Sequence, residues 1–285
     1  MLALAFLLGL LPQAAVFAQP ARSAAVAMVT DLEGAASLVA EKRGLAILDD
    51  VVPEQRIQME KGARMVLVFL KSGEEYVFKG PAMVLVKSAQ AEAISGAKPE
   101  KRNTLFGGSG REIRISPINV NQGAVLMRGI PGEPRLTLLS LSETVTLDPW
   151  PEFRWRGMQA GTLARLQLFD DKGRQIVERE IGGDALTLPG EIRLKSGVRY
   201  RWTVSGKGPG GQAVSGTSHF SLASLDVRGE AERLRPPAGA TLSEQVIYAA
   251  WLEQKDLRDE ARKYWRTAAT ERPNDSRLRE LAGPF

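Results

Sequence analysis

The chain has 285 residues, room for two or three small domains, and its 44% apolar and 25% charged composition is that of globular protein with real cores. The formal net charge of +5 and pI of about 9.5 are mild, and without a dense Lys/Arg run they argue against a nucleic-acid partner. Cysteine is absent, which excludes disulfides, thiolate nucleophiles and thiolate metal sites, and removes the residue a lipoprotein anchor needs.

The first stretch reads as a signal peptide over residues 1–18. Leu2 to Leu11 is a short apolar run ended by Pro12, and Val16-Phe17-Ala18 places small or compact residues before Gln19. The run is too short to span a bilayer comfortably. No Lys or Arg precedes it, so a start further upstream and an uncleaved anchor are the alternatives, and membrane association is expected only in the case of the anchor. With cysteine absent, the expected location is the periplasm or cell envelope of a bacterium.

Val26 to Val86 is rich in strand signals. Ala25 to Val29 leads to a turn at Glu33-Gly34, Ala36 to Val39 resumes, and Lys42-Arg43-Gly44 turns again. Arg64 to Leu70 is almost wholly apolar, as expected for a strand covered on both faces. Lys71-Ser72-Gly73-Glu74 makes a polar hairpin turn, Glu75 to Phe78 returns, Lys79-Gly80-Pro81 turns, and Ala82 to Val86 forms another strand. Short strands at this spacing predict a small barrel or sandwich. Gln90 to Arg111 reads as a loop, on Lys98-Pro99-Glu100-Lys101-Arg102-Asn103 and Gly107-Gly108-Ser109-Gly110. Glu112 to Ile115 and Ala124 to Met127 read as further strands.

Residues 135–222 alternate cleanly. Phe153 and Trp155 face away from Glu152, Arg154 and Arg156; Leu166 and Leu168 alternate with Arg165 and Gln167; Tyr200, Trp202 and Val204 alternate with Arg199, Arg201 and Thr203. Asp170-Asp171-Lys172-Gly173 is a hairpin turn, Gln175 to Glu180 returns, and Phe220 and Leu222 close the last strand. About seven short strands predict an immunoglobulin-like sandwich. Asp226 to Leu234 reads as a short helix stopped by Pro236-Pro237. Thr241-Leu242-Ser243-Glu244 fits a capping box for a second helix. Asp256 is expected to cap a third, with an apolar face of Leu257, Ala261, Tyr264/Trp265 and Ala268, and Asp275 a short fourth. The expected fold class is mostly β: two small β domains, one a barrel or sandwich and one an immunoglobulin-like sandwich, with a C-terminal α-helical hairpin.

These segments carry three resemblances. The turn glycines Gly34, Gly62, Gly73 and Gly80-Pro81 around the buried run Arg64 to Leu70 resemble a FecR-like periplasmic β domain, taken over 24–130 with its loop at 90–111. Ser72 stands where that family usually has Asp. Pro151-x-Phe153-x-Trp155, Leu166-x-Leu168-Phe169-Asp170 and Leu194-x-x-Gly197-x-x-Tyr200-x-Trp202-x-Val204 resemble a fibronectin type III-like module over 135–222. Ala261, Trp265, Ala268 and Pro273 stand at the small, large, small and proline spacings of a tetratricopeptide-like hairpin within 223–285, with Gln245 where an opening aromatic is usual. The resemblances imply envelope modules that space and bind. One helical repeat cannot bury its own faces, so the hairpin is expected to dock on the sandwich or on another chain.

Chemistry is scarce. His219 is the only histidine and faces outward by alternation, so it reads as a surface residue. Gly206, Gly208 and Gly211 match a phosphate-binding glycine pattern, but Pro209 and a second strand follow instead of a helix, so they read as a hairpin loop. Adjacent carboxylates on a strand point to opposite faces, and those in turns are solvated; neither makes an acid–base pair. No catalytic residue, cofactor or metal site is expected. The expected function is a non-catalytic exported adaptor for an envelope protein partner. A FecR-like signalling component and a glycan (peptidoglycan) binder are the alternatives. Expected contact residues are Tyr248, Trp251, Tyr264 and Arg266 beside the hairpin, and Trp150 at the head of the Pro151 strand.

Overall fold

The computed structural model describes residues 24–104, 106 and 136–283; the expected signal peptide, Gly107 to Gly110 and the strands expected at 112–115 and 124–127 lie outside them. The described chain is mostly β, with four sheets and four helices.

The first β unit is a sandwich of two antiparallel sheets. One contains β1 (Ala27–Glu33), β4 (Asp50–Val51), β6 (Arg64–Phe69), β7 (Glu74–Lys79) and β10 (Glu100–Asn103), in the order β10-β7-β6-β1-β4. The other contains β2 (Ala36–Leu38), β3 (Arg43–Gly44), β5 (Arg56–Met59), β8 (Ala82–Val86) and β9 (Ala91–Ser95), in the order β3-β2-β5-β8-β9. Ala27, Val29, Met65, Leu67, Phe69 and Phe78 point between the sheets, with Ile57, Met59 and Val84 opposite. The turns expected at Gly34 and Gly73 form, with left-handed φ values of 74° and 69° that glycine adopts without a Cβ clash, whereas the turn expected at Lys42-Arg43-Gly44 falls at residues 39–42 and Arg43–Gly44 is β3, paired with β2.

The loop expected at 90–111 is corrected over most of its described length. Ala91–Ser95 and Glu100–Asn103 are strands at opposite edges of the two sheets. All four residues of β10 are exposed, so burial does not hold it. Main-chain pairing with β7 does, helped by Lys79–Glu100 at 2.9 Å and Lys101–Glu74 at 2.7 Å. A charged, solvent-facing edge strand has the composition of a loop.

The second β unit contains β11 (Thr137–Leu138), β12 (Thr144–Thr146), β13 (Glu152–Arg156), β14 (Leu163–Phe169), β15 (Gln175–Gly182), β16 (Ala185–Thr187), β17 (Arg199–Lys207) and β18 (Ala213–Leu222). Its sheets run β12-β18-β17-β14-β15 and β11-β13-β16, an immunoglobulin-like sandwich. The alternation of β13 is perfect: Phe153 and Trp155 are fully buried while Glu152, Arg154 and Arg156 are exposed. Phe153 meets Trp202 edge-on at 5.1 Å and Phe220 at 5.7 Å, the favoured geometry for aromatic quadrupoles. The short strands β12 and β16 carry too few residues to alternate visibly, and β12 pairs in parallel with β18. The glycine pattern at 206–211 is a hairpin, closed by Gly208 N–H to Gln212 O at 2.8 Å.

Four helices follow: α1 (Leu225–Leu234), α2 (Leu242–Gln254), α3 (Arg258–Glu271) and α4 (Ser276–Ala282). The capping box at Thr241 and Glu244 forms in full, and Asp275 caps α4 by accepting from Leu278 N–H at 3.0 Å. Asp256 does not cap α3; its backbone is left-handed at φ 56°, which turns its side chain aside to Arg258. The cap is supplied from the second sandwich, where the Thr144 hydroxyl accepts the Arg258 N–H at 3.1 Å.

Candidate functional site: the helical wedge and its cleft

The most informative feature begins in β6. Successive residues of a strand point to opposite faces, so a strand apolar at every position must be covered twice. Met65, Leu67 and Phe69 fill the first sandwich; Val68 and Leu70, with Met28 of β1, join a second core with α2, α3 and α4. The helix that covers them is α2, buried nearly all round through Leu242, Val246, Ile247, Ala249, Ala250 and Leu252. A helix apolar on every side belongs inside a core. The helical segment therefore completes the first β unit.

Polar ties fix the register of that contact. The Ser243 hydroxyl donates to the buried Glu75 carboxylate at 2.7 Å and lies 2.7 Å from the buried Thr30 hydroxyl. From the end of α3, Arg272 grips Asp31 through Nε at 2.9 Å and Nη2 at 3.0 Å, and reaches Glu33. Arg64 of β6 holds the same Asp31 carboxylate. Arg277 of α4 donates to Ile47 O at 2.9 Å and to Asp49 at 3.0 Å. Asp31 and Asp49 are nearly buried and each meets a planar guanidinium, with the two-nitrogen contact of Arg272 on Asp31 the stronger geometry, whereas Glu33 is half-exposed.

A second set of bonds ties the same helices to the second sandwich. Thr144 donates its hydroxyl to Asp256 O at 2.8 Å, and Val145 N–H donates to the same oxygen at 2.8 Å. Asp259 accepts the Leu141 N–H at 2.6 Å and Arg262 at 3.0 Å. Burial pushes the Asp259 carboxyl up, against the Leu141 N–H and Arg262, which stabilise its charged form. Glu253, beside the Trp265 indole N–H, is likewise raised by burial. The helices are thus a wedge with one face on each sandwich. The expectation of docking on the sandwich or on another chain is met by the sandwich and extended, because the larger apolar contact is with the first β unit.

On its outer side the wedge leaves a cleft of about 440 Å³. Leu147 and Asp148 enter from the second sandwich, Arg235 from the end of α1, Tyr248 from α2, and Glu260, Lys263 and Tyr264 from α3. Tyr248 and Tyr264 meet edge-on at 4.9 Å. The Tyr248 hydroxyl donates to Ala231 O at 2.9 Å, and burial pushes its pKa up to about 12. Burial also raises Tyr264.

The five expected contact residues are placed very differently. Tyr248 and Trp251 are buried, their rings stacked at 5.9 Å, so the surface role expected of them is corrected. Their aromatic character is used inside the helical core. Tyr264 is half-buried in the cleft, and Arg266 is exposed on α3. Trp150 is remote in the chain; it stands 36% exposed, donates its indole N–H to Gly190 O at 3.2 Å, and carries Arg193 over its ring at 5.5 Å. His219 lies on the outer face of β18, 2.9 Å from Glu143. Sequence reasoning did not single out Arg235, Asp148 or Lys263, and met Glu260 only as half of the adjacent pair Asp259-Glu260, read as solvated. Their only signal was local charge, which a solvated helix face also has. Among the described residues no group of His, Cys, Asp and Glu is placed to hold a metal ion, and no helix is long and apolar enough to cross a membrane.

No protein-family model matches the chain, and no curated protein matches it. Its function therefore rests on the geometry above.

Proposed function

We propose that the chain is a non-catalytic, exported adaptor or scaffold of the cell envelope, in which a helical wedge holds two β sandwiches in fixed relation and presents their loops and edges to a protein partner. The observation that carries this reading is the double attachment of the wedge. Its apolar core closes the open face of the first sandwich, and hydrogen bonds from the Thr144 hydroxyl and the Val145 and Leu141 N–H groups fix it to the second. An assembly built this way presents surfaces on two units at a set distance, which lowers the ordering cost of binding a partner at both. The resemblances to FecR-like, fibronectin type III-like and tetratricopeptide-like modules support the same class of role.

The test is crosslinking in intact cells that make the chain, followed by pull-down, fractionation and sequencing of the mature N-terminus. A soluble periplasmic chain beginning at Gln19 that brings down a defined envelope protein is the expected result. Recovery of peptidoglycan with no protein partner overturns the adaptor reading. A chain retained in the inner membrane with its N-terminus intact overturns cleavage and favours the membrane-attached signalling alternative.

A further inference from the structure

We infer that the cleft between α1, α3 and the Leu147–Asp148 segment is a binding site for a neutral, polyhydroxylated ligand, a short saccharide of one or two rings. This inference does not depend on the adaptor reading. Its volume of about 440 Å³ is within the range of small-molecule sites.

The class of ligand follows from how the charges are paired. Arg235 already holds Glu232 at 2.7 Å, and Lys263 holds both oxygens of Glu260 at 2.8 Å. Asp148 accepts the Trp150 N–H at 2.8 Å through one oxygen, which leaves the other as an acceptor. No excess of positive charge is present for an anion, and a cation would have to displace Lys263 from Glu260. A sugar hydroxyl both donates and accepts, so it can give its proton to Glu260 or Asp148 and take one from Lys263 or Arg235 without breaking either pair. An anion or a cation satisfies only half of such a cleft.

Tyr264 adds the apolar component. Its ring is held edge-on against the buried Tyr248 and is therefore fixed in position, a platform for the C–H face of a pyranose. Its hydroxyl has no hydrogen-bond partner among the described residues, while that of Tyr248 is engaged by Ala231 O. Among the described residues the Tyr264 phenol is thus the one left to bond a ligand, and it lines the cleft. The residues come from both the wedge and the second sandwich, so the site exists only when the wedge is docked.

The test is titration of the purified chain with N,N′-diacetylchitobiose and with maltose, read by heteronuclear NMR shifts, with citrate and choline as anionic and cationic controls. Saturable shifts centred on α3 and Asp148 with at least one saccharide, and none with the controls, are expected. Glu260→Gln and Tyr264→Phe should each weaken binding about tenfold, the size of one hydrogen bond to a charged or fixed group. Both side chains are partly exposed, and an unchanged thermal midpoint shows that the variants fold. Absence of shifts with both saccharides at millimolar concentration overturns the inference, as does binding that neither variant weakens. Shifts with citrate or choline alone overturn the ligand class.

Discussion

Replacing Arg272 by Ala tests the docking of the wedge directly. In the native chain Arg272 makes two hydrogen bonds to Asp31, whose side chain is 4% exposed, and a third to Glu33, which is half-exposed. The Glu33 contact is hydrated and counts for little. Removing one partner of a buried ion pair costs about 3–5 kcal/mol when the remaining charge is stranded. Here it is not stranded, because Arg64 keeps its bond to Asp31. The expected loss is therefore about 2 kcal/mol, the range of hydrogen bonds to a charged group. Arg272→Lys keeps the charge but not the fork, and should recover only part of it. Urea unfolding followed by tryptophan fluorescence measures the loss, since Trp251 and Trp265 lie in the helical core. Hydrogen exchange locates it: amides of α3 and α4 should exchange faster while those of β14 and β17 stay protected. An Arg272→Ala chain within about 0.5 kcal/mol of wild type, with unchanged exchange in α4, would refute this account of the docking.

Three further outcomes follow from local geometry. Burial raises the Asp259 carboxyl, so between the ordinary carboxylate range near about pH 4 and that raised value the native state holds more protons than the unfolded chain. This contribution to stability is complete below the ordinary value and is lost as pH rises through the raised one. Asp259→Asn should therefore gain stability relative to wild type as pH rises from about 4 to about 7; a pH-independent difference in urea midpoint would contradict it. Trp202 donates its indole N–H to Leu141 O at 2.9 Å, whereas the buried Trp155 N–H has no protein partner among the described residues. Trp202→Phe should accordingly destabilise more than Trp155→Phe, by about 1 kcal/mol in chemical denaturation, and equal losses would count against the assignment. A Cβ at Gly80 would lie 1.9 Å from Glu60 O; since that atom is backbone, Gly80→Ala should cost about 1–3 kcal/mol in thermal unfolding, and a neutral substitution would show that the turn yields.

The fold class was legible because its signals are local. The alternation in β13, β14 and β17 names the buried face residue by residue, and the glycines at 34 and 73 mark turns that need a left-handed backbone. The Thr241 capping box spans four residues and forms wherever a helix starts there. The candidate cleft was scarcely legible: of its lining only Tyr248 and Tyr264 were expected to matter, and Tyr248 was expected on the surface. Nothing local distinguishes Lys263 in a cleft from a lysine in water. Similarly, β10 has the composition of a solvated loop, and only its register against β7 makes it a strand.

The run from Arg64 to Leu70 draws the line between the two sources of information. By itself it determined that β6 is covered on both faces, because an apolar residue at every strand position leaves no face for water. It could not say what covers the second face. The covering helix is α2, whose Ser243 meets Glu75 across 168 positions of chain, and the adjoining Arg272–Asp31 pair closes over 241. Hydrophobic burial is non-directional and carries no address; the partner was selected by packing and by ion pairs that exist only once the chain has closed. Tertiary structure also decided the fate of Tyr248 and Trp251. Sequence marked them as large, amphipathic rings on a helix, and packing within the helical core, with Tyr264 of α3 and Ala231 of α1 against Tyr248, turned them from surface into core.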